Sequence, residues 1–374
     1  MASRFSGRLW VAVSWLKQLG WRRRQRPDNI NNLWIIHHLL LGDSLMTVSL
    51  CAQARLHYPH ANITLILPKA HVELFTQRPW GVQAMPLDPY DVSTLQNLRQ
   101  LAAADLCLLP ADNRYAWLAR GLGARWIIGF AGDVPDYKNW MVDQKIPYSS
   151  TPTSWSDTLT ELLGGLPPPA YLPSQWPAPV AAPYKRPTTP RYIVLHVGAS
   201  STLKHWPAER WQLLAERLAL AGYEPVWSAG AQEKHLVRAA DPQQRWTSTA
   251  GLLDLAQLWH LIANAVLLVC PDTGVAHLGR VVGTPTVTLF GPGSAVLCGS
   301  GRFWSQVPYR ALSIEMACRD QTTNFQRNLP WIRRCERFPG QEPHQCASAR
   351  CMLGLDSERV WMQVKELLQA YDVN

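Results

Sequence analysis

No run in the 374 residues is apolar for long enough to cross a membrane. The Gly-x4-Gly-Lys spacing of a P-loop is absent. So are the tight Cys-x2-Cys pairs of a zinc ribbon, although there are eight cysteines. Acidic residues number 27 against 36 basic ones, a net charge of +9. That excess is not spread along the chain, because Arg4, Arg8, Lys17, Arg22, Arg23, Arg24 and Arg26 all precede the first acid, Asp28. The nearly balanced remainder lacks the basic surface of a nucleic-acid-binding domain.

The segment 1–27 pairs its charge with helical apolar spacing at Phe5, Leu9, Ala12, Val13, Leu16 and Leu19, with Trp10, Trp15 and Trp21 interleaved. Basic residues and Trp on an amphipathic stretch suit an anionic membrane surface; a frayed basic tail is the plainer reading. A signal peptide is disfavoured, because Arg22-Arg23-Arg24 stands where a small-residue cleavage site belongs.

Beyond it, short apolar runs alternate with helical periodicity. Strands are predicted over 33–38, 63–67, 106–109 and 126–129, with helices over 44–58, 69–77, 95–104 and 114–122. The stretch 166–190 holds nine prolines in 25 residues, which excludes a helix or central strand and reads as a stiff linker. Alternation then resumes, with strands over 192–197, 224–228, 266–270 and 286–290, and helices over 207–221, 231–239, 252–263, 274–282 and 356–371. The expected layout is a first domain over 28–165, the linker 166–190, a second domain over 191–355 and a C-terminal helix in 356–374. Both domains are α/β, Rossmann-like and doubly wound, with a cleft between them.

Polar residues gather where the predicted strands end, the place where open α/β sheets bind ligands. Asp272-Thr273-Gly274 links a strand to a helix that carries His277 one turn in. A helix start with free N–H groups suits phosphate; a cap with a core histidine is the structural alternative. His196 to Pro207 runs through Ser200, Ser201 and Thr202 to Lys204, either a phosphate-contacting lysine or a solvated one. Ser228 to Glu233 places Gly230 for close approach and Glu233 for sugar hydroxyls. At the end of the first strand, His37 and His38 precede Gly42 and Asp43, and Asp43 is either a general base or an N-cap for the next helix. Gly42-Asp43-Ser44-Leu45 also spells the GDSL-esterase signature, but no Asp in the chain is followed three positions later by His, as that family requires.

Taken in order, Gly42-Asp43 with Thr47, Gly198 with Lys204-His205-Trp206-Pro207 and Trp211, Gly230 with Glu233, Asp272-Thr273-Gly274 with His277-Leu278, Gly283-Thr284-Pro285 and Leu289-Phe290-Gly291-Pro292 resemble glycosyltransferase family 9, the lipopolysaccharide heptosyltransferases. The resemblance covers nearly all of the chain after Asn32. It implies a GT-B fold and an inverting transfer that needs no metal, from a nucleotide-diphosphate sugar (ADP-L-glycero-D-manno-heptose) to a lipid-linked inner-core oligosaccharide. It casts Asp43 as the base and Lys204 as the phosphate contact. Ser200, Ser201, Thr202, Gly230, Glu233, Asp272, Thr273, Gly274 and His277 fall on the donor side, and Gly42, His37 and His38 on the acceptor side. An enzyme of this kind works at the cytoplasmic face of the inner membrane. His37, Leu39-Leu40 and Ser49 depart from the family's usual residues and bear on the acceptor. Another nucleotide sugar, a protein (autotransporter) acceptor, or a non-catalytic nucleotide-sugar-binding protein are the alternatives.

Cys51, Cys107 and Cys270 sit in apolar runs and, with Cys298, read as reduced thiols of a cytosolic protein. Cys318, Cys335, Cys346 and Cys351 cluster within 318–351, and free thiols, a structural metal and disulfides are all open there. Some autotransporter-modifying members of the family are thought to hold iron in this region.

Overall fold

The computed structural model describes residues 24–342 and 344–372, so most of the basic segment 1–27 lies outside the described residues. The chain forms two compact units. The first runs to Pro169 and takes in Thr323–Trp331 as well; the second takes Ala170–Thr322 and the chain from Ile332 onward.

The first unit is built on β1 (Asn32–Ile36), β2 (Asn62–Pro68), β3 (Gln83–Leu87), β4 (Leu106–Leu109), β5 (Trp126–Phe130) and β6 (Gln144–Ile146). They form one six-stranded sheet in the order β3-β2-β1-β4-β5-β6, with every pairing parallel. The second unit repeats this plan with β7 (Tyr192–His196), β8 (Glu224–Ser228), β9 (Thr247–Ser248), β10 (Leu267–Pro271), β11 (Thr286–Phe290) and β12 (Tyr309–Ser313). Its order, β12-β11-β10-β7-β8-β9, has the same connectivity. Reversal of strand order beside β1 and beside β7 is the doubly wound Rossmann arrangement.

The interior strands are near-continuous apolar runs because helices cover both faces of a parallel sheet. Leu33 to Ile36 and Leu106 to Leu109 are at most 1% exposed. In the second unit, Ile193, Leu195, Val269 and Val287 pack with Trp211, Leu214 and Leu218 of helix Ala208–Leu220 and with Val360, Val364, Leu367 and Leu368 of helix Ser357–Tyr371. The eight strands expected from the sequence are the eight interior strands. Within the two six-stranded sheets, the four that escaped it, β3, β6, β9 and β12, are the sheet edges. Edge strands are short or polar, and β3 carries Pro86, which an edge accommodates.

Some helices differ from their periodicity. The helix expected over 44–58 is two, Leu41–Met46 and Val48–His57, and 69–77 is a 3-10 segment, Lys69–Phe75. The stretch expected as 231–239 opens with a 3-10 turn, Ala231–Glu233, before helix Lys234–Ala240. The proline-rich stretch has no regular element except the 3-10 turn Pro173–Gln175; Tyr171 and Trp176 within it are buried.

The domain layout expected from the sequence keeps 191–355 together, whereas residues 323–331 return to the first unit. Their hairpin joins β13 (Thr323–Asn324) to β14 (Arg327–Asn328). Phe325 meets the Trp155 ring at 4.8 Å, and Trp331 Nε1 donates to the Ser149 carbonyl at 3.0 Å. Arg327, 3% exposed, donates to the carbonyls of Ala111 (2.6 Å), Phe130 (3.1 Å) and Ala131 (2.9 Å), at or just past the ends of β4 and β5. Asp133 lies 3.4 Å from the guanidinium and accepts from Lys138 Nζ at 3.0 Å. Long-range carbonyl contacts of this kind leave no periodic trace in a sequence.

Removing one partner of a buried charged network strands the other polar groups. Arg327→Ala is therefore expected to destabilise the first unit by about 3–5 kcal/mol, read as a lowered denaturation midpoint and as early protease cleavage within 320–335. An unchanged midpoint would show that the hairpin rests on the surface without bracing the unit.

Candidate functional site

In the second unit the parallel register brings the carboxyl ends of β7, β8 and β10 to one edge. After β7 the chain turns through Ser200, Ser201 and Thr202. Ser200 and Thr202 are exposed, and the half-buried Ser201 accepts the Leu203 N–H through Oγ at 3.3 Å. The 3-10 turn Thr202–Lys204 buries Leu203 and aims Lys204 at β10. Lys204 Nζ donates to the Asp272 carbonyl at 2.8 Å and to its carboxylate at 2.9 Å. The solvated-surface alternative for this lysine is thereby displaced. Gly293 permits the arrangement, since a Cβ there would collide with the Asp272 carboxylate.

Thr273 is the N-cap of helix Gly274–Val282, with extended backbone and no side-chain cap bond. The first amides of such a helix point outward with a partial positive charge. Gly283, at φ 81°, ends the helix in the left-handed conformation that favours glycine. One turn in, His277 is buried and hydrogen-bonded through Nδ1 to Arg280. Burial, reinforced by the charges of Arg280 and Lys204, pushes the His277 pKa well below its ordinary value. The ring is neutral, and because Nδ1 accepts, Nε2 carries the proton.

Arg280 was not singled out from the sequence. It is fully buried, donates to the carbonyls of Gly299 (2.7 Å) and Cys298 (2.9 Å), and lies 4.7 Å from the Tyr309 ring centroid. Its position three residues after His277, on the same helix face, was the available signal.

Asp272, His277 and Cys298 bring their ligand atoms within 4.8 Å of one another, close enough in distance for a metal ion. The charges argue otherwise. Lys204 holds the Asp272 carboxylate and Arg280 holds His277 Nδ1, so the cluster sets two cations beside one carboxylate. The surplus is positive and favours an anion.

Glu233 accepts the Gly230 N–H through Oε2 at 2.9 Å, closing its own turn. A Cβ on Gly198 would run into this carboxylate, so the loops after β7 and β8 depend on each other.

In the first unit, His37 N–H continues the ladder by donating to the Ile66 carbonyl at 3.0 Å. Its ring is 1% exposed, and neither nitrogen has a hydrogen-bond partner. Burial first, then the neighbouring His71 and His38, pushes its pKa down to about 3. His38 is exposed. Gly42 is buried in helix Leu41–Met46, and Asp43 occupies that helix's first turn. The N-cap is Leu40, so the N-cap reading of Asp43 gives way. The Asp43 carbonyl accepts from Thr47 N–H at 3.0 Å and Thr47 Oγ1 at 2.8 Å. Beside it, Ser44 Oγ hydrogen-bonds His71 Nδ1 at 2.9 Å. His71 sits in the turn after the adjacent strand β2, and only the fold reveals it.

Cys318, Cys335, Cys346 and Cys351 line one cavity of about 390 Å³, together with Arg319 and Arg337. All eight thiols are free. Arg337 donates to the Cys318 carbonyl and approaches Cys335 Sγ at 3.5 Å. Cys51 and Cys270 are buried, which pushes each thiol up to about 12, as expected of inert core residues.

Residues 92–326 match the profile of glycosyltransferase family 9 (heptosyltransferase). The chain is 29% identical over 191 residues to lipopolysaccharide heptosyltransferase 1 of Pseudomonas aeruginosa, covering 49% of this chain and 50% of that protein. The chain thus spans about half the length of this curated relative. Among solved structures it is similar to the Escherichia coli ADP-heptose lipopolysaccharide heptosyltransferase II, with TM-score 0.69, 19% identity and coverage of 92% of this chain and 100% of the other. It is also similar to an E. coli heptosyltransferase solved with ADP-2-deoxy-2-fluoro heptose, with TM-score 0.65, 16% identity and coverage of 90% and 99%. At these identities the structural likeness establishes the fold.

Proposed function

The chain belongs to glycosyltransferase family 9, and from that premise we propose that it moves heptose from an ADP-activated donor onto a lipopolysaccharide inner-core acceptor, by one inverting displacement that needs no divalent cation. The observation that carries this reading is Lys204, locked onto Asp272 at the start of helix Gly274–Val282 with Arg280 behind it. Two cations and a helix start offset the charge of a diphosphate as it leaves, the part a metal plays elsewhere. The ADP-sugar complex of the similar E. coli structure supports the donor class, and the name of the P. aeruginosa relative supports the acceptor class.

In the proposed reaction Asp43 takes the proton from an acceptor hydroxyl. The oxygen attacks the anomeric carbon, the bond from that carbon to the diphosphate oxygen breaks, and ADP departs with the bonding pair. Gly274 and its neighbouring amides, with Lys204, receive the phosphates, while Ser200, Ser201 and Thr202 line the approach. Glu233 keeps one carboxylate oxygen on its own turn and offers the other to a sugar hydroxyl. Gly42, His37 and His38 lie on the acceptor side.

Asp43→Asn is expected to lower turnover by roughly 10²–10⁴, the usual worth of a general base, with donor binding unchanged. Lys204→Ala is expected to weaken ADP binding by calorimetry and also to slow turnover, since charge builds on the diphosphate in the transition state. Turnover within about tenfold of the parent in Asp43→Asn, or a strict need for magnesium or manganese, would call for another mechanism.

We also propose that the basic segment holds the enzyme on the anionic cytoplasmic face of the inner membrane. Each basic residue near such a surface contributes about 1 kcal/mol. Removing residues 1–26 should abolish salt-sensitive flotation with anionic liposomes and spare activity on a soluble acceptor analogue. Flotation that persists in the truncated chain would refute the anchor.

For the C-terminal cysteines we propose a structural, non-catalytic thiophilic cation. Its donors would come from the four cysteines that line one cavity; among the described residues their sulfurs do not gather to metal-ligand distance of one another, so a bound ion would have to draw them together. Elemental analysis of protein purified without chelator should find about one zinc or iron per chain, lost in Cys335→Ser with little change in turnover. A metal-free protein with four titratable thiols in this region would leave them as free cysteines.

A further inference from the structure

We propose that His71 is a positioning residue for the reaction: through its hydrogen bond to Ser44 it fixes the short helix that carries Asp43. This rests on the base assignment above and goes beyond it by naming what holds the base in place.

Helix Leu41–Met46 is only six residues long, and its N-cap, Leu40, offers no side-chain cap bond. A helix this short has little stability of its own. It needs a tie to something rigid. Ser44, 0% exposed, supplies one by meeting His71 at 2.9 Å across 27 residues of sequence. His71 belongs to the 3-10 segment Lys69–Phe75, which follows directly on β2. β2 pairs in parallel with β1 from Asn62 to Ile66, so the anchor is part of the sheet's interior ladder. The link therefore runs from β2 through His71 and Ser44 to the backbone next to Asp43.

The imidazole is in the right state for this work. Burial pushes the His71 pKa down to about 4, with a smaller contribution from His38, so the ring is neutral at pH 7. A neutral ring holds Ser44 Oγ in either tautomer, accepting its O–H at Nδ1 or donating an Nδ1–H to it.

A second observation marks the cluster as ligand-facing. His37, next to His71, is buried with both ring nitrogens unpaired. An unpaired buried polar group costs about 1–3 kcal/mol, and such groups persist where function requires them. The cluster lies at the carboxyl ends of β1 and β2, the rim where Gly42 and Asp43 also sit.

The test uses the full chain with an ADP-sugar donor and a core-oligosaccharide acceptor, following ADP release. His71→Ala and Ser44→Ala should each lower kcat roughly tenfold with donor KM unchanged, because small misplacements of a reacting group cost one to two orders of magnitude. The double variant should be no worse than either single one, since both remove the same bond. His71→Asn, whose Oδ1 falls near the place of Nδ1, should restore most of the rate. Independently of turnover, amide exchange over 41–47 should quicken in His71→Ala and return in His71→Asn. If His71→Ala does not fold, Ser44→Ala and His71→Asn carry the test.

A kcat within about twofold of the parent in His71→Ala, or losses that multiply in the double variant, would overturn the proposal. Asp43→Asn run alongside separates the two ideas. An inactive Asp43→Asn with an undisturbed His71→Ala sinks only the positioning role, whereas a fully active Asp43→Asn sinks the base assignment and this proposal together.

Discussion

Interior strands buried on both faces leave a protein one place for polar chemistry, and that is where the strands end. Within β1, β4, β7 and β10 nearly every side chain is apolar and out of water. A charge in the middle of such a strand would have no partner and no solvent. Parallel pairing then aligns all the carboxyl ends along one rim. In the second unit that rim carries Lys204, Glu233 and the Asp272–His277 turn; in the first it carries His37, Asp43 and His71. Neither set is adjacent in sequence, and both follow from the ladders that place β7 beside β8 and β10, and β1 beside β2 and β4.

At the strand-end rim of the second unit the balance of charge sets what could bind. Asp272 alone, beside a histidine and a cysteine, resembles a metal site in distance. Lys204 and Arg280 shift that balance by holding one Asp272 oxygen and His277 Nδ1 and leaving excess positive charge. Arg280 is tolerated in the interior because two carbonyls and an aromatic face take up its guanidinium. Its cost is reduced by those contacts, and its field adds to burial in holding His277 neutral. The glycines at 198 and 293 serve the same construction, since each lets a carboxylate approach a backbone that a Cβ would block.

The hairpin 323–331 shows the opposite use of charge. Arg327 is neutralised by Asp133 and satisfied by three carbonyls at or just past the ends of β4 and β5, so it braces rather than binds. Cys318 and Cys335 flank this excursion, and the bridge between Gln321 and Arg334 closes its base. The cysteine-lined cavity therefore sits where the chain leaves for the first unit and comes back.

Much of the fold was legible in the sequence because the interior strands are long enough and apolar enough to announce themselves, and all eight did. The edge strands did not, since an edge has one partner, partial exposure and no need for a continuous apolar run. Strand-end motifs such as Gly42-Asp43 and Asp272-Thr273-Gly274 were legible for the same reason: a polar group directly after a buried strand has few places to be. What the tertiary structure alone decided was pairing. That Lys204 grips Asp272, that Ser44 meets His71, that Arg280 sits against His277 within the charge field of Lys204, and that residues 323–331 belong to the first unit all depend on contacts between segments brought together by sheet register. Local periodicity carries the address of each residue on its own strand or helix, and distance across the fold is not among the things it encodes.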